Sequence, residues 1–164
     1  MANVWFKANK LSLNISKTNY QTTKKTNPSS SSELKIDNIT IPQASSTKFL
    51  GVHIDQHLKW TSHITEITKK VAKNLGIIRR ISYLLPPHIL TNLYFTLIYP
   101  YLNYCNLIWT SSYDSHLLKL RILQKRAISL ITKSPINTHT KHLYLRLNLL
   151  TISQIKLIQT SVCM

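Results

Sequence analysis

Residues 62–85 read SHITEITKKVAKNLGIIRRISYLL, and this stretch decides the class of fold. Its apolar residues recur at spacings of three and four, at Ile64, Ile67, Val71, Leu75 and Ile78. Because an α-helix turns by about 100° per residue, this spacing places them on one side of a helix. Lys69, Lys73 and Arg80 fall on the opposite side. The stretch therefore predicts an amphipathic helix with an exposed basic side, capped by Thr61 or Ser62.

Further helices are predicted on the C-terminal side. Pro86-Pro87 breaks the chain, and a second helix is expected from about His88 to Trp109 with a kink at Pro100. Asp114 or Ser115 is expected to cap a third helix. The buried side of that helix is predicted to contain Leu117, Leu120, Leu123, Ala127 and Ile131.

In the first sixty residues, apolar side chains recur at a shorter spacing than in the helical stretch. Residues 10–16, KLSLNIS, alternate apolar and polar side chains and predict a strand. Residues 28–33, a proline followed by four serines and a glutamate, predict a flexible loop. Residues 33–42, ELKIDNITIP, predict a short hairpin around Asp37-Asn38, and residues 48–55, KFLGVHID, predict a further strand.

These patterns predict an α+β fold, with a small antiparallel β-element followed by a mainly α-helical domain at 59–164. Thr138 and Thr151 are expected to open two more helices near the end of the chain. Thr151 and Gln154 have the spacing of a capping box. The sequence stops ten residues after Gln154 within an amphipathic pattern, so we expect the helical domain to be truncated.

The chain is strongly basic. Its 164 residues contain 21 Lys and Arg against 5 Asp and Glu, a formal net charge of +16. Such a charge favours a polyanionic partner, with nucleic acid first and an anionic membrane surface second. Lys119, Arg126 and Lys133 are seven residues apart and are expected to share one side of the third helix. We expect this side and the basic side of the first helix to contact phosphates along one groove, without reading sequence.

Several classes of function are disfavoured by composition. Two glycines in the whole chain cannot form a phosphate-binding loop or a dinucleotide fingerprint. The histidines at 53, 57 and 63, with Asp55, match no common four-ligand zinc spacing, so no metal site is expected. Cys105 and Cys163 are far apart and are read as reduced thiols of an intracellular protein.

Residues 81–113 contain no charged side chain and are long enough to span a membrane. Prolines and three asparagines within the stretch disfavour a span, because their freed backbone and amide groups would need partners in lipid. The stretch is also rich in aromatic residues, namely Tyr94, Tyr99, Tyr101, Tyr104 and Trp109. A core position for these rings is favoured over a platform for stacking bases.

Three blocks of the sequence resemble a known family. The first contains Trp5, Asn9, Leu11, Leu13-Asn14 and Lys17-Thr18. The second contains residues 48–55, then Leu58-Lys59-Trp60 and His63-Ile64. The third contains Leu93-Tyr94, Pro100, Leu102, Tyr104 and Trp109, with Gln124-Lys125-Arg126-Ala127 after it. In order and spacing these blocks resemble the end of the palm and the thumb of non-LTR retrotransposon (LINE or jockey-like) reverse transcriptases.

The resemblance implies roles for individual residues. Residues 1–27 would be the end of the palm, 34–58 would carry the primer-grip strand, and 59–164 would be the thumb. Lys17 matches a lysine that lies near the incoming nucleotide, with a solvated lysine beside a strand as the alternative. Phe49, Leu50 and Gly51 resemble the primer-grip turn, where a glycine permits close approach of a backbone. Simple packing of a hairpin is the alternative for this turn.

The resemblance also indicates what this sequence lacks. The family holds two Mg²⁺ ions with one Asp of an early palm strand and an adjacent Asp-Asp pair, and both elements precede the block that begins at Trp5. No two of the five acidic residues here are adjacent. We therefore expect no catalytic residue and no cofactor in this chain, which would bind RNA, DNA or an RNA–DNA hybrid without polymerising alone.

Two other functions stay open. The chain could be a subunit that completes a reverse transcriptase active site in trans with a separate palm fragment. It could instead be a membrane or interaction protein that uses its basic helices. In each case we expect an intracellular protein of the nucleus or cytoplasm.

Overall fold

The computed structural model describes residues 5–6, 8–22, 33–36, 38–135 and 138–163. The chain divides into two compact units, Met1–Leu58 and Lys59–Met164. Within the described residues, the first unit holds two small antiparallel sheets and the second holds seven helices. The predicted α+β class is confirmed. Pro28 and the serine run of the predicted loop lie outside the described residues.

The predicted hairpin at 33–42 is confirmed. Strand β1 (Lys35–Ile36) pairs with β2 (Ile39–Thr40) in antiparallel register, with Lys35 opposite Thr40. Asn38, in the connection, has a φ of 62°, a left-handed conformation that asparagine tolerates better than most residues. Asp37, the other expected turn residue, lies outside the described residues.

The strand predicted over 48–55 is wrong. The chain instead forms a second hairpin, β3 (Ser46–Phe49) and β4 (Val52–Asp55), with Phe49 opposite Val52. It reverses at Leu50 and Gly51, whose φ values are 46° and 81°. Two successive positive φ values are the pattern of a type I′ turn, whose twist matches that of the flanking strands.

The strand predicted over 10–16 is also wrong, since its last residues enter a single 3₁₀ turn, Ile15–Lys17. Local polar contacts explain the difference. The Ser16 hydroxyl lies 2.7 Å from Asn14 Oδ1, and the Thr18 hydroxyl donates to the Asn14 carbonyl at 2.8 Å. Such short-range hydrogen bonds offer the backbone an alternative to a strand ladder.

The second unit begins with helix α1 (Thr61–Ile81). All five apolar residues that predicted this helix are buried, so the amphipathic pattern is confirmed. The predicted caps are wrong, because Trp60 is the N-cap residue with a φ of 60° and no side chain caps the helix. Helix α1 packs mainly against α5 (Asp114–Ile131).

The single kinked helix predicted from His88 to Trp109 is wrong. The chain forms three helices there, α2 (Pro87–Leu97), α3 (Tyr99–Asn103) and α4 (Asn106–Trp109). Pro100 lacks the N–H that would continue α2, and its ring clashes with the preceding turn of a regular helix. The second break lies at Cys105, whose left-handed φ of 50° cannot continue a right-handed helix.

Helices α6 (Lys141–Arg146) and α7 (Ile152–Cys163) complete the unit. The capping box before α7 is confirmed, because the Thr151 N–H donates to Gln154 Oε1 at 2.9 Å and the Gln154 N–H to Thr151 Oγ1 at 3.3 Å. The helix expected from Thr138 begins at Lys141. Helix α5 starts after Tyr113, with no side-chain cap.

The buried side of α5 is close to the prediction, with one polar exception. Leu117, Leu120, Ala127 and Ile131 are buried, while Leu123 is only half-buried. Gln124 is buried beside them, and its Nε2 donates to the Tyr94 hydroxyl at 2.9 Å and to the Leu150 carbonyl at 2.8 Å. Its Oε1 accepts the Ile152 N–H at 3.3 Å. One amide thus links α2, α5 and the start of α7.

Two of the predicted aromatic residues belong to the core. Tyr94 and Trp109 are fully buried, whereas Tyr99 and Tyr101 are half-buried and Tyr104 is exposed. Burial raises the pKa of Tyr94 to about 12. Among the described residues, no helix combines the length and apolar composition that crossing a bilayer requires.

Candidate nucleic-acid interface

The basic residues predicted on α1 lie on its exposed side. Lys69, Lys73 and Arg80 are exposed, opposite the residues that α1 buries. Lys70, which neighbours them in sequence, instead pairs with Glu66 at 2.6 Å and lies 5.8 Å from the centre of the Tyr101 ring. Lys69, Lys73 and Arg80 thus lie on the exposed side of α1 and take no part in the Glu66–Lys70 ion pair.

The three basic residues predicted on α5 do not share one helical side. Lys119 and Arg126 are exposed on the helix. Lys133 lies beyond its end at Ile131, with a left-handed φ of 54°. The Ser134 N–H donates to the Ser129 carbonyl at 3.0 Å, as in a helix-terminating turn. Although Lys133 follows Arg126 by seven residues, it therefore does not lie on the same side of α5 as Lys119 and Arg126.

The residues that the family resemblance singled out lie in the first unit. Lys17 is exposed at the end of the 3₁₀ turn. Phe49 and Leu50 are exposed by 60% and 73%, which is high for apolar side chains. Gly51 follows them in the β3–β4 turn. The turn thus presents two apolar side chains away from the small core of its unit.

Three recesses surround the exposed part of α5. The first lies between α1 and α5, has a volume of about 600 Å³ and is lined by Arg79 and Arg126. The second, of about 320 Å³, lies between α5 and residues 138–140, and Arg126 and Lys125 line it. The third, of about 570 Å³, lies between α5, α6 and the start of α7. Its basic residues are Arg121, Lys125 and Lys141.

The recesses adjoin one another because they share lining residues. Arg126 and Ser129 line the first and second, and Lys125, His139 and Thr140 line the second and third. We call this continuous surface the basic band and define its charged or titratable members as Arg79, Arg121, Lys125, Arg126, His139 and Lys141. Among the described residues, no aspartate or glutamate lines any of the three recesses.

The two acidic residues of the helical unit are both paired on their own helices. Glu66 pairs with Lys70 on α1, and Asp114 pairs with Arg121 on α5 at 2.7 Å. Fourteen Lys and Arg residues belong to this unit of the sequence. Its surface is therefore of nearly one sign, and low-dielectric recesses strengthen the field of such charges.

The basic band only partly coincides with the predicted residues. Arg126 belongs to both, whereas Lys69, Lys73 and Arg80 lie outside the lining of the recesses. A signal for the first recess was present in the sequence, because the small residues Ala72 and Gly76 are four apart on α1 and line it with Arg79. Residues four apart lie on the same side of a helix, and side chains as small as these leave space beside it.

The remaining candidates are the histidines considered for a metal site and the aromatic residues of 81–113. Among the described residues, no group of three or more His, Cys, Asp and Glu side chains could hold a metal ion. Tyr104, the exposed member of the aromatic set, has its carbonyl bonded to the Trp109 indole N–H at 2.9 Å. The chemistry that the helical unit offers is therefore cationic, with serine and threonine hydroxyls between the charges.

Part of this chain is similar to a protein of Drosophila melanogaster, the probable RNA-directed DNA polymerase from transposon X-element. The two are 32% identical over 101 residues, which are 59% of this chain and 11% of that protein. The similarity supports a relationship to reverse transcriptases. The chain thus spans about a tenth of the length of this relative. No family model matches the chain, and no solved structure matches it.

Proposed function

We propose that this chain is the end-of-palm and thumb part of a non-LTR retrotransposon reverse transcriptase and that it holds template–primer nucleic acid through the phosphate backbone. The observation that carries the proposal is the nearly one-signed surface of the helical unit, whose two acids are both ion-paired. Phosphates are bound by such surfaces without reading sequence. The similarity to an RNA-directed DNA polymerase supports the choice of nucleic acid over other polyanions.

The proposal assigns the two units different tasks. Residues 1–27 and 34–58 would be the palm end with the primer grip, joined by 28–33, and 59–164 would be the thumb. Phe49 and Leu50 would press on a primer end from the β3–β4 turn, which exposes both side chains. Lys17, which is also exposed, would lie near the incoming nucleotide.

This chain would not polymerise by itself. Phosphoryl transfer by two Mg²⁺ ions needs carboxylates grouped within reach of one another. The five acids of this sequence are scattered, and Glu66 and Asp114 are already paired with basic side chains. A primer-extension assay with template, dNTPs and Mg²⁺ tests this point, since extension by the purified chain alone would contradict it. Extension only after a separate palm fragment is added would favour a role in trans.

A triple variant tests the binding surface. Replacing Lys69, Lys73 and Arg80 by Ala should flatten the log–log salt dependence of binding to an RNA–DNA hybrid by about 2–3, because each phosphate contact contributes roughly 0.9. The matched control replaces Lys10, Lys35 and Arg146, which are also exposed and lie outside both the exposed side of α1 and the β3–β4 turn. Circular dichroism must show unchanged helix content, because lysine stems can cover apolar surface.

The outcome of this experiment is decisive for the exposed side of α1. A triple variant that keeps its helix content and the parent's salt slope would place the interface elsewhere. An equal loss in the control variant would show that total charge, not the α1 side, determines binding.

A further inference from the structure

We propose that the basic band is a groove for an unpaired nucleic-acid strand, which would seat about one nucleotide in each recess. This inference deepens the proposed function and rests on it. It separates two surfaces of the helical unit. The exposed side of α1 is open and suits a duplex, whereas the basic band is a chain of small recesses.

The path of the basic band argues for a flexible ligand. At 100° per residue, Leu123 and Gln124 point to different flanks of α5. Leu123 lines the first recess, beside α1, and Gln124 lines the third, beside α6 and α7. The band therefore turns around the exposed part of a helix that is about 10–12 Å across with its side chains. A duplex, with a persistence length of about 50 nm, cannot follow such a turn, whereas a single strand can.

The size of the recesses also favours a single strand. Their volumes of about 600, 320 and 570 Å³ lie in the range of roughly 300–1,000 Å³ that encloses small ligands in proteins. Such a volume suits one nucleotide.

The lining suits the two halves of a nucleotide. Arg126 and Lys125 each border two recesses, at the junctions where successive phosphates of a strand would pass. Hydroxyls of Ser129 and Thr140 lie at the same junctions. Apolar side chains also line the recesses. Ile122 is exposed and Leu123 is half-buried, so both offer surface to base faces, whereas Leu75, Tyr144 and Leu149 are buried.

His139 provides a ring that can stack on an unpaired base. It lines both the second and the third recess, next to Lys125. Its side chain is exposed, and an imidazole ring can stack on an unpaired base. A paired base inside a duplex offers no free face of this kind, so the position of His139 favours a single strand.

The test compares a 12-nucleotide oligo-dT strand with a 12-base-pair duplex, each binding to the full chain and measured by fluorescence anisotropy. The variant replaces Lys125 and Arg126 by Gln. Its matched control replaces Lys10 and Arg146, two exposed cations that do not line the recesses. Two lost single-strand phosphate contacts should flatten the salt slope by about 1.4 and weaken oligo-dT binding about 25-fold at 0.1 M salt.

We expect the Lys125/Arg126 variant to weaken oligo-dT binding and to leave duplex binding almost unchanged, because a duplex would bind the exposed side of α1, and we expect no loss in the control. An equal loss for both probes, or oligo-dT binding that the variant leaves unchanged, would overturn the inference while the proposed function stands. Binding of neither probe would overturn both. Circular dichroism of each variant shows whether the helices remain intact.

Discussion

At the scale of single residues, the buried hydroxyl of Tyr94 makes the free energy of unfolding depend on pH. Its hydroxyl accepts a hydrogen bond from Gln124 and is fully buried. Burial raises its pKa from 10.0 to about 12. In the unfolded chain the phenol loses its proton near pH 10, whereas the folded chain keeps it. The stabilisation is therefore fully present below pH 10 and is lost as the pH rises toward 12.

We expect the free energy of unfolding to fall by about 2 kcal/mol more in the native chain than in Tyr94→Phe between pH 9 and pH 12. Urea denaturation of both proteins at several pH values measures this difference. At pH 8 the variant should be about 1 kcal/mol less stable, because it leaves one donor of Gln124 without its partner. Parallel pH profiles of the two proteins would contradict the burial of this hydroxyl.

Gly76 is the second residue with a direct test. It lies in the middle of α1, is exposed, and lines the first recess. A Cβ atom added there would meet no atom within 4 Å. Gly76→Ala should therefore stabilise the chain by about 1 kcal/mol, the difference in helix propensity between the two residues. A lower midpoint of thermal unfolding in the variant would show that α5 packs more closely on this position.

At the scale of elements, Asn74 stabilises the break between α2 and α3. Pro100 interrupts the helix, and the Tyr101 N–H bonds to the Ile98 carbonyl instead of that of Leu97. The Asn74 amide of α1 donates to the Leu97 carbonyl at 2.5 Å. A side chain from another helix thus satisfies the carbonyl that the break releases.

Asn74→Ala should cost about 1–3 kcal/mol, because it leaves this half-buried carbonyl without a donor. Asn74→Asp should cost more, since a carboxylate would then face a carbonyl oxygen. Asn92→Ala on α2, an exposed asparagine, is the control and should change stability by less than about 0.5 kcal/mol. Chemical denaturation of the three variants gives the order, and equal stabilities for Asn74→Asp and the native chain would contradict the contact.

The elements that could be predicted are those with a strong period. Ile64, Ile67 and Val71 predict α1, and Thr151 with Gln154 predicts the start of α7. The breaks at Pro100 and Cys105 and the reversal at Leu50 depend on single backbone conformations. The spacing of apolar residues does not indicate a left-handed φ at a cysteine or leucine. The apolar pattern therefore continues past these residues although the helix or strand ends there.

At the scale of the whole molecule, the net charge could be predicted from the composition, whereas the position of the basic band could not. A net charge of +16 predicts a polyanionic partner whatever the fold. The basic band needs Arg79 of α1, Lys125 of α5 and Lys141 of α6 to meet around one helix. These residues are far apart in sequence, so only tertiary packing brings them together. The left-handed φ of Lys133, which follows the end of α5, is a local backbone conformation that hydrophobic spacing does not indicate.

The salt dependence of binding to an RNA–DNA hybrid measures whether the chain holds nucleic acid through phosphates. Phosphate contacts by the six basic residues predicted on α1 and α5, or by five of them without Lys133, predict a log–log slope of about −5, and hybrids of unrelated sequence should give the same slope. Binding measured between 50 and 400 mM salt on the full chain provides this number. A slope near −5 for all sequences is the predicted result, and binding that is absent or insensitive to salt would contradict the account.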